Sequence, residues 1–279
     1  MSIKNFTDQQ IAEIYSPVLF FHPDEKYFPV SMDQYINNSD LYYKNNDLIA
    51  IKNTYNIENL PYIAEPYLEK NENTLSFYPD LNSIPDTSKN LERVPYYTVI
   101  TRNDNYYLIQ YHFIYAYNGA YNILGCIKTG QHNGDLERLS IKVDPNNGNI
   151  IKAYFARHRS SEGRWYEPKD CIIKDNHIHG YIALNGHGIY NKPGIHCRFF
   201  GFANDYTSDE GLLWWSKNII IVDDNTKWIF LKINLGYLDY GNMIGNTGFY
   251  RNEYDENEPY NIYCFPCILY SKKTGCFCS

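Results

Sequence analysis

His132-Asn133-Gly134-Asp135-Leu136-Glu137-Arg138-Leu139-Ser140-Ile141-Lys142-Val143 leaves a polar turn and enters a strand-like alternation. In an extended strand successive side chains point to opposite faces, so Asp135, Glu137, Leu139, Ile141 and Val143 share one of them. Leu136, Arg138, Ser140 and Lys142 take the other face, which is mostly polar and reads as solvent. The first face is then the buried one, with Asp135 and Glu137 at its rim. A buried carboxylate needs a cation, a donor or a proton.

Outward from this stretch, short apolar or alternating runs are separated by turns rich in Asn, Asp, Gly and Pro. They include Tyr96 to Ile100, Tyr106 to Phe113, Ile150 to Ala156, Ile219 to Val222 and Trp228 to Ile233, with Pro145-Asn146-Asn147-Gly148 as a turn between two of them. Upstream, Thr7 with Gln10 three residues on has the form of a capping box, and Ile11, Ile14 and Tyr15 follow at helical spacing, so one short helix opens the chain. It stops before Pro17, and Val18-Leu19-Phe20-Phe21 reads as a buried strand closed by His22-Pro23-Asp24-Glu25. The Asn-rich segment from about Asn37 to Asn90 is weakly patterned and reads as an irregular excursion. No linker or repeat divides the chain. The predicted fold is all-β: a single-domain β-sandwich or jelly roll over residues 1–279, with a short N-terminal helix and irregular excursions.

Composition agrees and excludes some functions. The 279 residues include 29 Tyr and are 17% aromatic, which suits strands. The net charge is −7, and the 25 Lys and Arg are scattered rather than striped along a face, which disfavours nucleic acid. No apolar run approaches the roughly 20 residues of a membrane span. The first residues lack the charged and apolar regions of a signal peptide, so a cytoplasmic protein is expected.

Four places put His or acid residues beside turns: His22 with Asp24 and Glu25, His132 with Asp135 and Glu137, His158 after a strand, and His187 in Asn185-Gly186-His187-Gly188. Brought together at one end of a sandwich, carboxylates and imidazoles suit a divalent cation: calcium or magnesium on the oxygens, manganese or zinc accepting nitrogen as well. Asp135, Glu137, His132, His158, His187 and His22 are the candidate ligands. The competing reading pairs Asp135 and Glu137 with Arg157, Arg159 or backbone amides at a strand end, and makes each lone histidine a packed or capping residue. Phosphate loops, nucleophile elbows and His-Glu-x-x-His helices are absent.

Seven cysteines without a secretion signal argue against a disulfide framework. Cys126, Cys171 and Cys197 read as small buried thiols. Cys264, Cys267, Cys276 and Cys278 allow three readings: a four-thiolate zinc knot, a prenylation box at Cys276-Phe277-Cys278-Ser279 that would attach the chain to membranes, or reduced, partly buried thiols.

Several short pieces in order resemble the vacuolar protein sorting-associated protein 62 family. They are Tyr15 to Pro29, Tyr117-Asn118-Gly119, His132 to Glu137, His158 with Gly163-Arg164-Trp165, and Tyr181 to Tyr190 with Pro193-Gly194. The family's acidic motif resembles His-x-Gly-Asp-Trp-Glu, followed often by His; here Leu136 and Arg138 replace the aromatic and the last imidazole. Ala156 and Gly186 stand where the family pattern has Ser. The His-x-x-Asp-x-Glu arrangement is also similar to the heptapeptide of necrosis- and ethylene-inducing-like proteins. That resemblance implies a sandwich holding a divalent cation and binding sugar head groups of membrane lipids.

Two functions follow. The first is divalent-cation-dependent binding of a polar ligand, a glycan or lipid head group, with any chemistry being metal-assisted hydrolysis by a carboxylate base. The alternative is a structural or packaging protein whose Tyr-rich surface supports self-association and whose acids only pin strand ends.

Overall fold

The computed structural model describes residues 2–44, 46–68, 74–123, 127–158, 163–198, 204–231 and 233–236. The expected opening helix is Asp8–Ile14, and its capping box is complete: the Thr7 hydroxyl accepts from the Gln10 amide, and the Gln10 side chain accepts from the Thr7 amide. The chain is mostly β, 39% strand and 14% helix, in several mixed sheets rather than one clear sandwich or jelly roll.

At the centre lies a six-stranded sheet in the order Arg164–Tyr166, Ile150–Phe155, His132–Val143, Tyr107–Asn118, Tyr96–Arg102 and Ile219–Ile221. His132–Val143 pairs antiparallel with Tyr107–Asn118 along its whole length. One face of this sheet is covered by a second sheet containing Val18–Phe20 and His177–Ile182, which pair in parallel. Tyr111, Phe113, Leu139, Ile141 and Phe155 meet Leu19, Ile178, Ile182 and Trp214 there in one apolar cluster. Trp214 is fully buried, its ring edge-on to Tyr96 at 4.7 Å and to Phe113 at 5.2 Å.

The opposite face is covered too. The segment expected to be irregular supplies the strands Ser39–Tyr43, Asp47–Ala50 and Leu75–Pro79, which build a four-stranded sheet with Ile233–Asn234. Leu41, Leu75 and Phe77 of that sheet form a second apolar cluster with Tyr97, Val99, Ile114 and Ala116 of the central one. A central sheet buried on both faces is the physical reason the fold is not clearly a single sandwich.

It also corrects the solvent face assigned to the opening stretch: Arg138, Ser140 and Lys142 are buried at 4%, 1% and 1% exposure. The Arg138 guanidinium lies 5.0 Å from the Tyr154 ring centre, and the Lys142 ammonium 4.0 Å from that of Tyr106. Aromatic rings thus stand in for part of their water. Downstream, Lys227–Phe230 is a 3-10 turn, where a strand from Trp228 to Ile233 was expected. Cys171 is half-buried and its thiol is pushed up to about 11 by burial, whereas Cys197 is exposed, contrary to expectation. Cys126, Cys264, Cys267, Cys276 and Cys278 lie outside the described residues.

Candidate functional site

The site begins where the alternation of His132–Val143 is interrupted. Gly134 has φ +67°, and a Cβ there would collide with the Leu235 carbonyl, so only glycine fits. Beyond it, Asp135 lies opposite Tyr115 and Glu137 opposite Phe113. Both acids are buried, at 3% and 4% exposure, rather than set at a rim.

Asp135 finds its partner in His187. The Asn185-Gly186-His187 turn has positive φ at Asn185 and His187. It directs the imidazole so that Nδ1 donates to Asp135 Oδ2 at 3.0 Å and Nε2 to the Tyr27 carbonyl at 3.1 Å. Glu25 Oε1 lies 4.0 Å from the same Nε2, so the ring sits between two acids. The ring also lies flat on Tyr115, with centroids 3.8 Å apart. Burial pushes the Asp135 carboxyl up, but His187, His132 and His158 outweigh it and hold it below the usual carboxylate range.

Glu137 is compensated less. Burial first, then repulsion from Asp135 and Asp205, raises its pKa well above the usual range, against a smaller opposing effect of Arg138. The Tyr115 hydroxyl, among Glu137, Asp135 and Glu25, is buried without a hydrogen-bond partner.

A second His–acid pair adjoins the first. His158 Nε2 donates to Asp205 Oδ2 at 2.7 Å, Tyr190 Oη donates to the same oxygen at 2.6 Å, and Arg198 Nη1 lies 3.5 Å from Oδ1. Burial pushes Asp205 up, but these three groups hold it at about 2. Gly186 makes room for the pair, since a Cβ there would stand 2.6 Å from His158 Cε1. The glycine where the family pattern has Ser therefore has a steric reason in this chain.

His132 Nδ1 donates to the Gly134 carbonyl at 2.9 Å, which leaves Nε2 as the lone-pair nitrogen. Burial lowers its pKa, against a smaller opposing effect of Asp135. His22 is engaged in its own turn: its Nδ1 accepts from the Asp24 amide at 3.2 Å. From that N-terminal stretch Glu25 joins the site instead, accepting from the Lys26 and Tyr27 amides with Oε1 and from the Asn185 amide with Oε2. Arg157, an expected partner for the acids, donates to Tyr166 Oη and lies 4.2 Å from the Tyr190 ring centre.

Among the described residues, no three His, Cys, Asp or Glu side chains close around a point that would hold a metal ion. The donors that could meet a hard cation here are a second Asp135 oxygen, the Glu137 carboxyl and His132 Nε2. Sequence reasoning named Glu25 in the His22 turn without counting it among the ligands, and missed Asp205 and Tyr115.

The family model described as Vps62, vacuolar protein sorting-associated protein 62, matches residues 4–226. Among solved structures the chain is similar to necrosis and ethylene inducing protein 2 from the causal agent of cocoa's witches broom disease, at 11% identity and TM-score 0.39, over 77% of this chain and 74% of that one. It is similar also to NLPPya in complex with glucosamine, at 12% identity and TM-score 0.38, over 76% and 72%. A third likeness is to a non-toxic HaNLP3 protein, at 12% identity and TM-score 0.39, over 76% and 74%. No curated protein matches the chain.

Proposed function

The chain belongs to the vacuolar protein sorting-associated protein 62 family, and from that premise we propose that it is a binding module for a glycan or lipid head group, dependent on a divalent cation. The observation that carries the reading is the buried Glu137 carboxyl, repelled by Asp135 and Asp205 and set beside a Tyr115 hydroxyl without a partner. A buried carboxyl so placed must keep its proton or meet a cation. Asp135, Glu137 and His132 Nε2 would hold the cation, with calcium, magnesium or manganese favoured over zinc by the oxygen-rich donors.

When bound, the cation supplies a fixed positive charge that draws hydroxyl or phosphate oxygens of the ligand. The chain's own groups do the rest. His187 orients Asp135, the Gly134 carbonyl holds His132 Nδ1, and Glu25 fixes the loop that carries His187 through the Asn185 amide. His158 and Asp205 are the adjoining polar pair, and no hydrolytic step is assigned to them.

Thermal unfolding of the full chain in calcium, magnesium, manganese, zinc and chelator tests this. A cation at a hundred times its Kd should add about 2.7 kcal/mol of stability, an increment absent in Asp135→Asn and Glu137→Gln. Equal melting in cation and chelator would reject the cation; variants that lose stability with no cation effect in the wild type would assign the acids to a scaffold.

A further inference from the structure

We infer that the chain carries a carbohydrate subsite, sized for a pyranose ring, in the cleft between Tyr27, Tyr117 and the loop containing Asp86. The cleft encloses about 450 Å3, within the range of small-molecule pockets and enough for about one or two sugar rings. None of Asp135, Glu137 or His132 lines it. The assignment rests on the ligand half of the reading above and not on its cation.

The lining has two kinds of surface. Tyr27 and Tyr117 meet edge to face, with centroids 4.9 Å apart and planes at 62°, and both are partly exposed. Behind them Val30 and Ala116, buried in the second apolar cluster, close the floor. Lys26 and Asp86 are exposed at the lining. Hydrogen bonds from Ser88 hold the Asp86 carboxyl below its usual range, so it is an anionic acceptor at neutral pH. The loop is pinned where it meets the core, because the Thr87 hydroxyl donates to the Pro29 carbonyl at 2.7 Å.

An aromatic corner beside one cation and one anion matches a ring with an apolar C–H face and a rim of hydroxyls. An acyl chain would leave Lys26 and Asp86 desolvated without partners. An extended peptide is favoured by an open strand edge, whereas the edge of Tyr107–Asn118 beyond its pairing with Tyr96–Arg102 is met by Pro29, bridged to Tyr115, and by Val30, whose amide donates to the Ile114 carbonyl.

Tyr27 also couples this cleft to the buried site. Its amide donates to Glu25 Oε1 at 2.9 Å, its carbonyl accepts from His187 Nε2 at 3.1 Å, and its ring packs on Gly119, where a Cβ would collide with it. The aromatic corner is therefore positioned by the same residues that orient Asp135.

Saturation-transfer NMR on the full chain, with a panel of methyl pyranosides including methyl glucosaminide, tests the assignment with and without chelator. Irradiating the aromatic region should transfer signal to ring C–H protons of at least one pyranoside, and the transfer should persist in chelator. Tyr117→Phe should keep affinity, Tyr117→Ala should lower it at least tenfold, and the exposed Lys26→Ala should weaken it about threefold without disturbing folding. No transfer to any pyranoside, or equal affinity in Lys26→Ala and Tyr117→Ala, overturns the subsite. Manganese titration in parallel separates the two claims: cation binding without sugar transfer leaves the cation reading standing, and sugar transfer without cation binding leaves the cleft.

Discussion

Asp205→Asn should expose how much the His158 pair contributes to the fold. Asp205 is 4% exposed and its carboxyl is held at about 2, against about 3.9 for a carboxyl in an unfolded chain. At 1.36 kcal/mol per unit that gap is worth about 2.6 kcal/mol. The substitution keeps the shape but removes the charge: an amide oxygen can still accept from Tyr190 and His158, yet the NH2 then faces the Arg198 guanidinium where Oδ1 stood, so about 2–3 kcal/mol should be lost at pH 7. Because the folded-state pKa lies below the unfolded one, the stabilisation is complete above about pH 4 and disappears as pH falls through 2. Urea unfolding followed by tryptophan fluorescence, at pH 7 and in steps from 4.5 to 2, should show wild type and variant separated at the first pH and converging over the second range. A separation below about 0.5 kcal/mol at pH 7, or one that does not change with pH, would refute the reasoning.

Glu137→Gln is expected to act in the opposite sense. Its raised folded-state pKa gives stability that is complete below the unfolded value and lost as pH rises through the folded one. In chelator at pH 8 the variant should therefore be more stable than wild type, by about 1–2 kcal/mol, and near pH 4 the two should agree; denaturant midpoints at both pH values check this. Gly134→Ala must place a Cβ at φ +67° against the Leu235 carbonyl and should cost about 3 kcal/mol or more by the same measurement; a loss under about 1 kcal/mol would show that the turn relaxes.

The parts of the fold readable in the sequence were those with one apolar face and one local signal. Thr7 and Gln10 mark the helix start, and Leu139, Ile141 and Val143 mark a buried face correctly. The other face of that strand misled because Arg138 and Lys142 are buried against aromatic rings, and charge in a linear sequence reads as solvent. Leu41 and Phe77 sit in short strands among Asn and Asp residues, whose sheet is completed by Ile233–Asn234 far along the chain. Pairing at that distance leaves no local pattern. In the site, His132, Asp135, Glu137, His158 and His187 were legible as residue types beside turns. Glu25 was visible in the His22 turn but its role was not, because its partners are the amides of Lys26, Tyr27 and Asn185, which any residues could supply. Asp205 was hidden because only the fold brings it to His158.

The central claim is that Asp135, Glu137 and His132 hold a divalent cation. Anomalous diffraction from crystals of the full chain soaked in manganese tests it most directly. The expected result is one strong peak at about 2.2 Å from oxygens of Asp135 and Glu137 and from His132 Nε2, lost in Asp135→Asn. Manganese sites elsewhere only, or no peak beside Asp135 in well-soaked crystals, would contradict it.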